Sequence, residues 1–208
     1  MIEVVNLNKA YEGVRVLSQL SFTANDNEIL GVIGPNGAGK TTTMRCITGI
    51  HPPTSGLIRI SGYDVQEDEM AAKGELGFVG DTPLLFDRLT VLEHLIFAQK
   101  TFDAEDDDRI DELLDRFDLM DIEDAIAQDL SRGTRQKVAL AMALVHSPTA
   151  LVLDEPMVGL DPAGMQELRD ILAEEAEAGT AVLLSSHQLD EVERLCQRFL
   201  IIHEGQRQ

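Results

Sequence analysis

The sequence predicts an α/β protein, with a largely parallel sheet covered on both faces, and three observations predict it. Strand-like and helical segments alternate over most of the 208 residues. A glycine-rich turn, Gly34-Pro35-Asn36-Gly37-Ala38-Gly39-Lys40-Thr41, joins the apolar stretch 29–33 to a helical pattern. A second apolar stretch, 150–153, ends in two carboxylates, Asp154 and Glu155.

In chain order, strands are expected at 3–6, 20–23 and 28–33. The turn at 34–41 and a helix over 40–49 follow, then a turn at 52–56 and strands at 56–60 and 76–79. Residues 87–147 read as helix only, over 91–101, 105–117 and 134–146, which breaks the alternation. That stretch is expected to be a helical subdomain set into one α/β domain spanning 1–208. The alternation resumes with a strand at 150–154, a helix at 162–178, a strand at 180–184, a helix at 189–195 and a strand at 198–203.

Bulk composition narrows the classes of function. Hydrophobic residues make up 44%, and no apolar run approaches the roughly 18 residues that span a membrane. Met1-Ile2-Glu3-Val4-Val5 lacks the basic-then-apolar layout of a signal peptide. Cys46 and Cys196 are the only cysteines and form no C-x-x-C, so neither a disulfide framework nor a zinc site is indicated. The formal charge of −20 argues against nucleic acid as a partner, because phosphate backbones need a basic footprint. Thirteen acids crowd residues 103–129 against Arg109 and Arg116. They read as a solvated helix face beside the spacing of Ile110, Leu113, Leu114 and Phe117, with an acidic interaction surface as the alternative.

The turn at 34–41 fits the phosphate-binding pattern G-x-x-x-x-G-K-[ST] at every fixed position. Small residues let the backbone N–H groups converge on an anion, and the following helix presents its positive dipole end. Lys40 adds a point charge, and Thr41 carries a hydroxyl suited to Mg²⁺. The strand ending in Asp154 and Glu155 aims carboxylates at the crevice where an open parallel sheet binds ligands. Asp154 suits Mg²⁺ and Glu155 the polarisation of an attacking water. Leu130-Ser131-Arg132-Gly133-Thr134-Arg135-Gln136 opens a further helix, with Ser131 as N-cap, and so offers a second anion-binding terminus.

Taken together, the motifs resemble those of the ATP-binding-cassette (ABC) ATPases, in that family's order and over nearly the whole chain. Gly34–Thr41 followed by Thr42 looks like its Walker A motif, with Asn36, Gly37, Ala38, Gly39, Lys40, Thr41 and Thr42 at the nucleotide. The run 130–136 looks like its signature, 151–155 like its Walker B with a catalytic Glu155, and 159–162 like its D-loop. His187 looks like its switch histidine, and Tyr11 lies where the family has an adenine-stacking aromatic, though it reads equally as a packing residue. His51, His94, His146 and His203 have no such placement and read as ordinary surface or core residues.

The resemblance implies a P-loop NTPase core with a mainly parallel sheet, an antiparallel N-terminal β part and an inserted α-helical subdomain. It also implies ATP and Mg²⁺ as cofactors, and a head-to-tail dimer with a second copy of the chain. Ser131 and Gly133 would then serve the partner's nucleotide. A separate transmembrane permease would hold the chain at the inner, cytoplasmic face of the membrane. Pro83, Leu84, Leu85, Phe86 and Leu89 would face that permease or fill the subdomain core. The alternative is a soluble ABC ATPase acting in assembly or scaffolding. Two departures stand out: Asp81 replaces the family's usual glutamine, and Arg132 and Thr134 replace a glycine and a glutamine in the signature.

Overall fold

The computed structural model describes residues 1–104 and 106–208, and the side chains of all of these except residues 107 and 191. Its N-terminal part is an antiparallel sheet of β1 (Ile2–Tyr11), β2 (Val14–Ala24), β4 (Ser55–Ile60) and β5 (Tyr63–Asp64), in the order β2-β1-β4-β5. The second sheet contains β3 (Ile29–Ile33), β6 (Leu76–Val79), β7 (Ala150–Asp154), β8 (Ala181–Ser186), β9 (Arg198–His203) and β10 (Gln206–Arg207). Its order is β10-β9-β3-β8-β7-β6, parallel throughout except for β10 against β9. Both the parallel core and the antiparallel N-terminal part match the expected fold class.

The central strands read ILGVI, ALVLD and AVLLSS because both of their faces are buried. Alternate residues feed two cores. Leu151, Leu153, Val182 and Leu184 point into one, filled by α3 (Val91–Thr101), α4 (Asp107–Arg116), α5 (Arg132–Leu144) and α6 (Pro162–Glu177). Ala150, Val152, Ala181 and Leu183 point into the other. There α1 (Lys40–Ile47) supplies Met44, Cys46 and Ile47, and the antiparallel sheet supplies Ile2, Val4, Leu17 and Leu20. The second face is thus covered by α1, by Ala72 of a short helix at 69–74 and by a second sheet.

Helix ends follow local chemistry. Thr90 and Glu93 form a capping box on α3, and Asp161 accepts from the Gly164 N–H at the start of α6, with Pro162 at its first position. Ser131 caps α5 as expected, accepting from the Thr134 N–H, so that helix begins two residues before the predicted 134. The predicted helix at 105–117 is observed as α4, and its expected first residue, Glu105, lies outside the described residues. Arg116 ties α4 to α6 through ion pairs with Glu174 and Glu175.

The strands predicted at 3–6 and 20–23 are each longer in the structure. Register shifts along β1, with Asn6 and Gln19 at φ of 49° and 52°, break the two-residue alternation that sequence patterning relies on. Besides the two-residue strands β5 and β10, the helix α2 (Glu69–Gly74) was not expected. Helix α7 (Leu189–Leu195) agrees with its prediction.

Candidate functional site

The glycine-rich turn follows β3 and delivers Lys40 as the first residue of α1. Its N-cap, Gly39, sits at φ 108°, and a Cβ there would stand 2.6 Å from the Leu17 side chain, so both conformation and space demand glycine. No side chain caps α1, which leaves its first N–H groups to an anion. Lys40 is folded back over the turn and only 6% exposed, its Nζ donating to the Gly34 carbonyl at 2.8 Å.

Strand pairing then brings the carboxylates to the same end of the sheet. Asp154, the last residue of β7, pairs with Ser185 of β8, while Ile33 of β3 pairs with Ser186. Ser185 is fully buried; its hydroxyl donates to Asp154 Oδ1 at 2.5 Å and accepts from the Glu155 N–H at 2.9 Å. Glu155 is held at φ 53°, an uncommon conformation for a residue with a side chain. Its carboxylate lies between two cationic or protonatable groups: Oε1 is 3.4 Å from Lys40 Nζ, and Oε2 is 2.8 Å from His187 Nδ1.

A cleft of about 470 Å³ gathers these groups, lined by Asn36, Gly37, Gly39, Lys40, Thr41 and Thr42 with Asp81, Glu155 and His187. Asp154, buried at the end of β7, is linked to Glu155 of this cleft through the Ser185 hydroxyl and itself lines the neighbouring groove. Asp81 and Thr82 also line a neighbouring, more apolar groove of about 640 Å³ walled by Phe78, Leu84, Phe97, Phe102 and Met142.

Five expected residues are outside the cleft's lining: Ala38 and Asp154, which are buried, and Ser131, Gly133 and Tyr11. Ser131 and Gly133 line a different cavity of about 480 Å³, beside Gly159, Leu160 and Asp161. Tyr11, at the end of β1, is not among the cleft's lining. Its hydroxyl meets His51 Nδ1 at 2.5 Å, and Lys9 Nζ lies 4.6 Å from its ring centroid. Of the remaining histidines, His94 is fully buried; it accepts from the Phe86 N–H and donates to the Thr90 carbonyl, so it anchors the 86–90 loop. His146 stacks on Phe102, and burial lowers its pKa.

Five residues of the site fall outside the expected set: Ser185, which bonds Asp154 and Glu155, and Val16, Thr82, Arg132 and Val158 of the cleft's lining. Ser185 carried a readable signal, a polar residue closing an otherwise apolar strand. Val16 of β2, which also lines the cleft, carried none, since only the packing of one sheet on the other brings it there.

The donor set suits a divalent ion that shares its shell with phosphate. Among the described residues no group of three His, Cys, Asp or Glu could hold a metal alone. Thr41 and Asp154 offer the hydroxyl and the one carboxylate that Mg²⁺ takes when nucleotide oxygens and water complete its shell. Among the described residues, no helix is long and apolar enough to cross a membrane.

Residues 17–158 match the family described as ABC transporter. The chain is 38% identical over 207 residues to YdbJ of Bacillus subtilis, an uncharacterised ABC transporter ATP-binding protein, covering 99% of the chain and 67% of that protein. It is 35% identical to LptB of Escherichia coli, the ATP-binding protein of a lipopolysaccharide export system, over 96% of the chain and 86% of LptB. A solved ATP-binding subunit of an ABC transporter superposes with a TM-score of 0.93 at 32% identity, covering 100% of this chain and 88% of that one. The ADP conformation of the cassette MJ1267 shares the fold, with a TM-score of 0.87 at 24% identity and coverage of 100% and 89%.

Proposed function

The chain belongs to the ABC transporter family as an ATP-binding, ATP-hydrolysing subunit, and we propose that two copies close head to tail on ATP and Mg²⁺ to drive a separate permease. The observation that carries this reading is a division within one chain. The phosphate-binding turn, Glu155 and His187 share a cleft, while Ser131 and Gly133 open onto another cavity. A second copy brought up in the opposite direction completes each cleft with its own Ser131 and Gly133.

Within that assembly Asn36 to Thr42 hold the phosphates through backbone N–H groups, and Lys40 leaves the Gly34 carbonyl to neutralise them. Thr41 and Asp154 would hold Mg²⁺, which would supply screening of the phosphate charge, and Asp81 of the cleft's lining would be a further oxygen donor to it. Glu155 is placed to orient and deprotonate the attacking water, and His187 fixes the Glu155 carboxylate and faces the developing charge. Tyr11 stacks on the adenine once its hydrogen bond to His51 gives way.

The permease docks in the apolar groove. Asp81 and Thr82 line both groove and cleft, so movement at the nucleotide reaches the permease through them. Residues 87–147 form the helical subdomain that carries the groove's far wall, and docking holds the chain at the cytoplasmic face of the membrane. Co-expression with the product of the adjacent reading frame tests the reading. Recovery in the membrane fraction, with ATPase activity stimulated by that partner, is the expected result; a complex that never sediments with membranes refutes it.

A further inference from the structure

Arg132, one of the two departures in the signature run, sits where two sites of the same chain meet. It is the first residue of α5, directly after the N-cap Ser131. Its side chain lines the cavity of Ser131 and Gly133, and also lines the nucleotide cleft beside Lys40, Glu155 and His187. Between the two it crosses the loop that joins Glu155 to α6, lying against Gly159. A Cβ on that glycine would be 2.7 Å from Arg132 Nε and 3.0 Å from Cζ, and Gly159 also has a φ of 86°. Glycine there is what lets the guanidinium reach the cleft.

The guanidinium makes no hydrogen bond or ion pair among the described residues. It presents five donors in a fork that matches phosphate oxygens. A triphosphate brings more negative charge to this cleft than Lys40 can neutralise alone. Arg132 lies against Gly159, on the loop that follows Glu155, and lines the cleft together with Glu155, the residue read as orienting the water that attacks the terminal phosphate.

We propose that Arg132 binds the terminal phosphate of the nucleotide held by its own chain, selecting nucleoside triphosphate over diphosphate. The inference rests on reading the cleft as the ATP site. It adds a link: the helix terminus that serves the partner's nucleotide through Ser131 and Gly133 is steadied by the chain's own nucleotide through Arg132. Each cleft then reports its occupancy to the other.

The test is equilibrium binding of ATP and ADP by competition with a fluorescent nucleotide, in a Glu155→Gln background so that ATP survives the titration. Protein is diluted until sedimentation gives the mass of one chain, which removes any contribution from a second copy. Arg132→Gly is expected to weaken ATP about tenfold while ADP shifts less than twofold, and Arg132→Lys to recover part of the loss. The proposal is overturned if ATP and ADP weaken alike. It is also overturned if ATP binding by the single chain is unchanged, whether or not the dimer is affected, since Arg132 would then serve only the partner or only pack on Gly159. If the parent protein binds neither nucleotide, the reading of the cleft itself falls, a result that does not depend on Arg132.

Discussion

Replacing Ser185 with alanine isolates the hydrogen bonds that hold the two carboxylates in place. The hydroxyl donates to Asp154 Oδ1 and accepts from the Glu155 N–H, at 2.5 and 2.9 Å, with Ser185 fully buried and Asp154 only 2% exposed. A bond to a charged partner contributes about 1.5–3 kcal/mol and a neutral one about 0.5–1.5 kcal/mol, so the loss is roughly 2–4 kcal/mol. For a chain of this size that lowers Tm by roughly 5–15 °C, readable by differential scanning calorimetry. The same change frees the backbone of Glu155 from the anchor that keeps it at φ 53°. A misplaced carboxylate should lower kcat by at least about tenfold, since a shift near 1 Å costs on the order of a hundredfold. ATP affinity should move less than about threefold, because the glycine-rich turn is untouched. A Tm shift below about 1 °C together with an unchanged kcat would refute the reasoning.

His187→Ala removes the partner of Glu155 Oε2 at the cleft rim; kcat is expected to fall about a hundredfold with nucleotide affinity nearly kept, as steady-state kinetics and titration would show. Gly39→Ala forces a Cβ into a φ of 108° and against Leu17, so about 2 kcal/mol or more of stability and most phosphate binding should be lost together, a pairing that melting with and without ATP detects. Burial pushes the Cys46 thiol up to about 11 and Cys196 up to about 12, so maleimide at pH 8 should label both slowly in the native chain and rapidly after denaturation. Because these folded-state values exceed the unfolded ones, their contribution is complete below the ordinary thiol value. It is lost as pH rises toward 11, and chemical denaturation at pH 8 and 10 measures that decline.

The parallel core was legible because its strands announce themselves. ILGVI, ALVLD and AVLLSS are apolar on both faces, and turns bound them closely. The phosphate-binding turn and the Asp154-Glu155 pair were legible because their chemistry lies in consecutive residues. The N-terminal sheet was half hidden, since bulges near Asn6 and Gln19 shift which face each residue takes. What depends on long-range packing was not legible. Ser185 meets Asp154 only through strand register, and Arg132 reaches the cleft only because Gly159 leaves it room. The separation of Ser131 and Gly133 from the turn that Lys40 anchors is likewise a fact of folding, and it makes one chain insufficient for the proposed site.

The mass of the Glu155→Gln protein tests that insufficiency most directly. Analytical ultracentrifugation with ATP and Mg²⁺ should give twice the mass of the chain, and with ADP the mass of one chain, because only an unhydrolysed triphosphate holds both halves of each site together. A Glu155→Gln protein that remains a single chain with ATP and Mg²⁺, while hydrolysing ATP at the normal rate, would contradict the account.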